Sequence, residues 1–251
     1  TASMQYHKLF PLHTIFTLAS ICLSASSEII IGKKETTPGL LKFIENKGQW
    51  HENVLFQSSI RGGNLFLEKD GFTYHFSNLY ELTKESHDHA NHDHSDEPRI
   101  LKGHAFKVKF SGANPATTTS GKEKQAEYHN YFLGNDQSKW ASQVPLFMEV
   151  FHEEIYEGIS LRSYSQDADL KYDFIIEPGA DETQIKMQYE GLENIYLKNG
   201  NLHLVTSINE VIEMAPYAYQ LVGKKQKEVP CNFSLKNGEV TFEFPRGFER
   251  N

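Results

Sequence analysis

The feature that most constrains the fold of this chain is a pair of Asn-Gly dipeptides, each lying between two short runs rich in apolar and β-branched residues. Asn199-Gly200 separates residues 195–197 from residues 202–205, and Asn237-Gly238 lies between a second such pair of runs. Both central residues of the tightest hairpin turns need a positive φ, which Asn and Gly adopt most readily. The two dipeptides therefore predict two antiparallel β-hairpins.

Alternation of apolar and polar residues extends this pattern to other parts of the chain. Within 106–110, 146–150 and 185–189, every second residue is apolar, as expected of strands with one buried face. Glu68-Lys69-Asp70-Gly71 lies between two more such runs and predicts a third hairpin. No stretch shows helical periodicity over more than two turns. The sequence predicts an all-β fold, with antiparallel strands in a sandwich-like arrangement.

Two polar stretches suggest how the strands are divided. Residues 81–99 contain almost no apolar side chains, and residues 111–125 are rich in Ser, Thr and Gly. Such segments bury too little apolar surface to offset the entropy lost on ordering, so we expect two solvated loops. This predicts an N-terminal β unit over 27–120, which contains the His-rich loop 81–99, and a C-terminal β unit over 126–251. One continuous sandwich with two long loops is the alternative.

The N-terminal residues have the layout of a secretory signal peptide. A short polar segment with one base follows Met4, residues 9–23 are mostly apolar, and small residues follow at 24–27. The apolar stretch is shorter than the roughly 20 residues of a spanning helix and contains Pro and His. We therefore expect residues 1–26 to be a signal peptide, with residues 1–3 a scar or a misplaced gene start, and the chain to be secreted or on the outer cell surface. No other segment is long and apolar enough to cross a bilayer, so no transmembrane segment is expected after signal removal.

Charge and cysteine content limit the remaining classes. The formal net charge of −8 disfavours nucleic acid as a partner, because the phosphate backbone is bound mainly by cationic side chains. Cys22 lies in the predicted signal peptide, which leaves Cys231 alone in the mature chain. One thiol cannot form an internal disulfide, so we expect a packed core to stabilise the domain and Cys231 to be a small residue of that core.

Five phrases stand out along the chain, at Phe43–Trp50, Gly63–Gly71, Asn130–Asp136 with Trp140, Ile155–Ile159 and Lys171–Asp181. Together, and in matching order, they resemble the N-terminal domain of large secreted proteins of Bacteroidetes-type bacteria. The resemblance covers about residues 40–247. It implies a position ahead of β-propeller, PKD or immunoglobulin-like repeats and a C-terminal sorting domain for type IX secretion. No activity is attached to this domain, so the resemblance implies location and context. The sequence ends at Asn251 without such repeats, and we expect a fragment of a longer protein, with a stand-alone version as the alternative.

The densest chemical feature is a histidine and carboxylate cluster in the loop 81–99. Imidazole and carboxylate groups suit Zn, Cu and Ni, so His87, His89, His92 and His94 are candidate ligands. A loop without rigid support chelates weakly and without selectivity. We therefore expect weak metal binding there or a merely solvated loop, and any binding is expected to fade below about pH 6 as the imidazoles protonate.

Acidic side chains raise the possibility of glycoside hydrolysis, which uses two carboxylates about 5–10 Å apart. The two candidate groups are Glu149, Glu153 and Glu154, and Asp167, Asp169 and Asp173. The simpler interpretation is a solvated strand edge for the first group. Turn capping and backbone hydrogen bonds are the simpler interpretation for Asp173 and for Asp181.

Trp50, Trp140 and the tyrosines are candidates for a sugar-stacking platform, although core packing is the commoner role of such residues. Nucleophile elbows, phosphate-binding Gly-rich loops and His-Glu-x-x-His patterns are missing from the sequence. We therefore expect a non-enzymatic module of a secreted or cell-surface protein, with an adhesion, assembly or binding role and other surface proteins or glycans as partners. The alternatives are a carbohydrate-active protein, either a lectin-like binder or an Asp/Glu glycoside hydrolase, and a metal-sequestering module.

Overall fold

The computed structural model describes residues 16–19, 40–78, 100–166, 169–222 and 225–249. Nearly all regular structure in these ranges is β-strand, and the helical elements among them are two 3₁₀ turns at Gln137–Lys139 and Glu182–Gln184. The prediction of an all-β fold with antiparallel strands is confirmed.

The strands form one large and one small antiparallel sheet. The large sheet contains β1 (Phe16–Ala19), β2 (Phe43–Glu45), β3 (Val54–Ile60), β4 (Gly63–Glu68), β5 (Gly71–Ser77), β6 (Gly103–Phe110), β7 (Thr118–Tyr131), β8 (Ala141–Tyr156), β9 (Ile159–Gln166), β10 (Asp169–Ile176), β11 (Met187–Glu190), β15 (Tyr217–Val222), β16 (Lys225–Val229), β17 (Asn232–Lys236) and β18 (Glu239–Glu243). The small sheet contains β12 (Asn194–Lys198), β13 (Asn201–Val205) and β14 (Glu210–Glu213).

The large sheet follows the order β16-β15-β1-β10-β9-β8-β2-β3-β4-β5-β6-β11-β18-β17, and β7 pairs with β8. Strands that are distant in this order nevertheless touch through their aromatic side chains. The rings of Phe72 on β5 and Tyr172 on β10 are 6.0 Å apart, and those of Phe110 on β6 and Phe174 on β10 are 5.9 Å apart. The sheet therefore packs one half against the other, as in a sandwich.

Among the described residues, one large hydrophobic cluster lies between these two layers. It contains side chains from both predicted units, such as Leu65 and Val108 from the first and Leu161 and Met187 from the second. The division into two units stays a prediction. A smaller cluster lies at one end, where Ile44 of β2 packs with residues of β8.

The predicted hairpins are present. Asn199, Gly200, Asn237 and Gly238 all have positive φ, between 53° and 81°, as two-residue turns require. The Lys69-Asp70 turn joins β4 to β5, but Gly71 has a different role from Gly200 and Gly238. A Cβ atom at Gly71 would lie 2.3 Å from the Val108 carbonyl oxygen, so glycine is needed there for close approach to β6.

The prediction of a loop over residues 111–125 is wrong for the second half of that segment. Residues 118–125 belong to β7, a strand of 14 residues that pairs with β8 along most of its length. Most β7 side chains are polar and exposed, so the strand shows no buried face in its sequence. β1 lies within the predicted signal peptide, whose export function stays a prediction, and pairs with β10 and β15.

Candidate functional site

The loop between β2 and β3, residues 46–53, is held in shape by the side chain of Asn46. The Asn46 amide nitrogen Nδ2 donates to the carbonyls of His51 at 2.9 Å and Val54 at 2.7 Å, and more weakly to that of Trp50 at 3.4 Å. Its Oδ1 accepts from the backbone N–H groups of Gly48 and Trp50, at 3.0 and 3.2 Å. One amide thus satisfies backbone groups along the whole loop.

Gln49 reinforces the same loop from the other side. Its Nε2 donates to the Glu45 carbonyl at 2.7 Å, and its Oε1 accepts from the Lys47 backbone N–H at 2.6 Å. Gly48 has a φ of 106°, in the region that glycine adopts without steric cost. The phrase Asn46-Lys47-Gly48-Gln49-Trp50 therefore encodes a rigid loop, and this explains its residue types.

The β7–β8 connection, residues 132–140, packs against this loop. The rings of Trp50 and Tyr131 meet edge to face, with centroids 5.4 Å apart. Gly48 lies beside the Ser138 carbonyl. The connection is itself ordered by Asp136, which accepts from the backbone N–H and the hydroxyl of Ser138 at 3.1 and 2.6 Å. We call residues 46–54 and 128–141 together the aromatic end.

Large apolar side chains are exposed at the aromatic end. Tyr128 is 54% exposed, Phe132 57%, Leu133 79% and Trp140 40%. Phe132 and Trp140 pack edge to face at 5.8 Å, and the Trp140 indole N–H donates to the Gly134 carbonyl at 3.2 Å. The expectation that Trp140 packs in the core is wrong. Trp50 is half-buried against the smaller hydrophobic cluster.

A cleft of ≈ 570 Å³ opens beside the loop 46–53. This volume lies in the range of small-ligand sites. Its walls come from β2, β3, β7, the Asn46 loop and the β4–β5 turn. The lining residues are Glu45, Asn46, Gly48, Trp50, Glu52, Val54, Leu55, Phe56, Lys69 and Thr119.

The charged groups of the cleft differ in their pairing. Glu45 pairs with Lys47 at 2.8 Å. The side chains of Glu52 and Lys69 are exposed, and neither forms a hydrogen bond or ion pair with another residue in the part of the chain that the structure describes. Both a free acceptor and a free donor therefore face solvent beside the indole of Trp50.

The structure brings two of the candidate glycosidase carboxylates together, away from this cleft. Arg162 on β9 binds Glu149 on β8 through two hydrogen bonds, at 2.6 and 3.1 Å, and its Nη1 is 3.9 Å from Asp173 on β10. Asp173 is buried and accepts from the Tyr164 hydroxyl at 3.4 Å. Burial raises the pKa of Asp173 to about 6. The turn-capping interpretation of Asp173 is therefore wrong, whereas Asp181 does cap the turn at Thr183.

The remaining candidates do not join this group. Glu153 and Glu154 lie in β8 and are exposed, and Asp169 lies in β10. Asp167 and the four candidate metal ligands, His87, His89, His92 and His94, lie outside the described residues. Within the described ranges, no cluster of three or more His, Cys, Asp or Glu side chains is arranged to hold a metal ion.

Cys231 is half-buried and packs against the main core. Burial raises the pKa of its thiol to about 12, which makes it a poor nucleophile.

Of the helices in the described ranges, none has the length and apolar character needed to span a membrane.

Sequence reasoning did not identify Asn46 and Gln49 as loop organisers or Glu52 and Lys69 as cleft residues. The available signal was local: two amide side chains and a glycine in five residues between two strands. Lys69 reaches the cleft through the β4–β5 turn, and its proximity to Glu52 depends on the pairing of β3 with β4.

The fold and the site define the chain as an antiparallel all-β domain with a preorganised surface loop. Comparison with protein families shows a match to a domain of unknown function, DUF7948, over residues 43–251, from the first residue of β2 onward, so the chain belongs to that family. The search of curated proteins found no match, and the search of solved structures found none either.

Proposed function

We propose that this chain is a non-enzymatic binding module of an exported protein and that it contacts its ligand through the aromatic end. The observation that carries this proposal is the exposure of Tyr128, Phe132, Leu133 and Trp140 on an ordered part of the surface. Contiguous exposed apolar side chains mark interaction sites, and aromatic residues supply much of the energy of such contacts.

The rigidity of the aromatic end supports the same proposal. The bonds of Asn46 and Asp136 and the contact of Trp50 with Tyr131 fix the backbone beneath the exposed rings. A surface that is already ordered loses less conformational entropy when it binds. The exposed rings are therefore arranged for contact without a folding step.

The position of the candidate carboxylates supports a non-enzymatic role. Glu149 and Asp173 both neutralise Arg162 on one face of the sheet, and they lie apart from the cleft that Glu52 and Trp50 line. A glycosidase requires two carboxylates that face one substrate. Here Glu149 and Asp173 serve an internal ion pair, and of the two carboxylates that line the cleft, Glu45 is already paired with Lys47.

The N-terminal residues and the five phrases support the proposed cellular context. Residues 1–26 have the layout of a signal peptide, and the phrases are similar to N-terminal domains of Bacteroidetes-type surface proteins. We place the module on the outer surface or in the secreted fraction, in an adhesion or assembly role. Metal sequestration by His87–His94 stays a separate prediction.

Solid-phase binding to immobilised insoluble polysaccharides and to immobilised extracellular proteins tests the ligand surface. Trp140→Ala and Leu133→Ser are expected to weaken saturable binding by tenfold or more, the loss typical of hot-spot residues in a contact surface. Leu197→Ser is the matched control, since Leu197 is 39% exposed on the small sheet. Two results would contradict the proposal. One is an equal loss of binding in the control and in the two variants, and the other is a lack of saturable binding to either kind of surface.

Export is tested by mass spectrometry of the protein recovered outside a secreting bacterial host. The expected mature N-terminus follows one of the small residues Ala25, Ser26 or Ser27. Retention of the intact chain inside the cells would overturn this part of the proposal.

A further inference from the structure

We propose that the cleft beside Trp50 is a binding site for a neutral saccharide. This inference rests on the proposed binding function and names the chemical class of one ligand. The cleft combines an aromatic wall with separate hydrogen-bond acceptors and donors, and sugars present both an apolar C–H face and a ring of hydroxyl groups. A hydroxyl group is both donor and acceptor, so it can satisfy a carboxylate and an ammonium group alike.

The groups left for a ligand are those that the loop itself does not use. The Asn46 and Gln49 amides are taken up by backbone groups of the loop. Glu52 and Lys69 form no side-chain bond with the other described residues. A ligand in the cleft therefore meets a free carboxylate, a free ammonium group and the half-buried indole of Trp50.

An extended peptide fits this cleft less well than a saccharide. Peptides commonly bind by adding a strand to an open sheet edge. The two strands that line the cleft nearest the loop have no open edge, because β2 pairs with β3 and β8, and β3 pairs with β2 and β4. Recognition at the β2 and β3 walls of the cleft must therefore use side chains.

The charge of the cleft excludes two further ligand classes. A wholly apolar ligand would desolvate Glu52 and Lys69 without giving them partners, which costs free energy. An anionic ligand would meet the carboxylates of Glu45 and Glu52 against one unpaired ammonium group, that of Lys69. A neutral saccharide avoids both costs.

The two tryptophans allow the cleft to be observed separately from the exposed patch. The chain contains two Trp residues, so Trp140→Phe leaves Trp50 as the single indole, and Trp50→Phe leaves Trp140. The full chain with either substitution is titrated with soluble laminarin, xylan, mannan and starch while indole emission is recorded. We expect a saturable change for at least one polysaccharide in Trp140→Phe.

Variants of the free polar groups then test the placement of the ligand. In the Trp140→Phe background, Glu52→Gln and Lys69→Gln are each expected to reduce affinity about tenfold, because each removes a charge-assisted hydrogen bond. Glu228→Gln on β16 is the control, since Glu228 is exposed and distant in the sheet order. Thermal unfolding of every variant shows whether the fold is kept.

Two outcomes overturn the inference. One is the lack of a saturable emission change with all four polysaccharides, and the other is a change that Glu52→Gln and Lys69→Gln leave unaffected. Either result leaves the proposed binding function intact if Trp140→Ala and Leu133→Ser still weaken solid-phase binding. If there is no saturable emission change and the variants Trp140→Ala and Leu133→Ser do not weaken solid-phase binding, the proposed function is wrong as well.

Discussion

The carboxylate of Glu213 accepts a hydrogen bond of 2.6 Å from the Tyr189 hydroxyl in the interior of the protein. Glu213 lies on β14 of the small sheet and Tyr189 on β11 of the large one, so this bond joins the two sheets. Tyr172 donates to the other carboxylate oxygen at 3.2 Å. The group is completely buried, and burial raises the pKa of Glu213 to about 7.

Glu213→Gln is expected to remove one source of pH dependence from the stability of the domain. Between pH 4.5 and 7 the folded chain keeps the Glu213 proton and the unfolded chain has lost it. The free energy of unfolding therefore falls as the pH rises through this window, by at most roughly 3 kcal/mol. Urea unfolding at pH 5 and pH 8 should show the variant gaining stability relative to wild type at the higher pH.

The exposed Glu228→Gln is the control for this measurement. An unchanged difference between wild type and Glu213→Gln at the two pH values would show that burial does not raise the pKa of Glu213 above its value in the unfolded chain. Asp173 adds to the same fall in stability from pH 3.8 to about 6, because burial raises its pKa as well. The Glu213 effect is therefore clearest above pH 6.

His152 is expected to change stability in the opposite direction. It is completely buried in β8, its Nε2 lies 2.9 Å from the Glu68 carbonyl oxygen, and burial lowers its pKa to about 4. Between pH 4 and 6.5 the unfolded chain binds a proton that the folded chain excludes, so stability falls as the pH falls through this window. In the His152→Gln variant this acid-side loss should disappear, as measured by thermal unfolding from pH 4 to 7.

The exposed His51→Gln serves as the matched control, since its imidazole is hydrated in both states. A fall in stability of the same size in His152→Gln and in wild type would contradict the assignment. In wild type the terms of Glu213 and His152 oppose one another between pH 4.5 and 6.5. Relative to wild type, the two single variants should therefore change the slope of stability against pH in opposite directions in that range.

The parts of the fold that were predictable from sequence are those set by local chemistry. The Asn199-Gly200 and Asn237-Gly238 turns require positive φ whatever surrounds them, and both are present. β7 was missed because its side chains are polar and exposed, and the strand exists through its backbone pairing with β8. Pairing between distant segments leaves no periodic signal in the sequence.

The candidate site shows the same division between local and long-range information. The phrase that ends in Trp50 indicated a special segment through its resemblance to a family. The approach of Tyr131 to Trp50 and the bridge from Glu149 through Arg162 to Asp173 join residues of different strands. Such contacts depend on strand register, which residue types and spacing alone do not specify.

Asn46→Ala is expected to loosen the loop 46–53 and to abolish the ligand response of Trp50. The variant removes the amide partner of three backbone carbonyls and two backbone N–H groups, at a cost of about 1–3 kcal/mol. Hydrogen exchange of the Gly48 and Trp50 amides should accelerate, since both donate to Asn46 Oδ1. Asn114→Ala is the control, because Asn114 bonds in the same manner to a turn elsewhere. Equal protection of the Gly48 amide in both variants would show that Asn46 does not order the loop.

Gly71→Ala is expected to destabilise the domain by about 1–3 kcal/mol or more, the usual cost of overpacking a close contact. An alanine Cβ at this position would lie 2.3 Å from the Val108 carbonyl oxygen. The backbone pairing of β5 with β6 holds the two strands at this distance. Gly112→Ala separates this effect from backbone strain: Gly112 has a φ of 77° but no atom within 4 Å of the added Cβ. Strain alone should cost about 1–2 kcal/mol there. Chemical unfolding measures both variants. If Gly71→Ala is no more destabilising than Gly112→Ala, the close approach of β6 is not the reason for the glycine after Asp70.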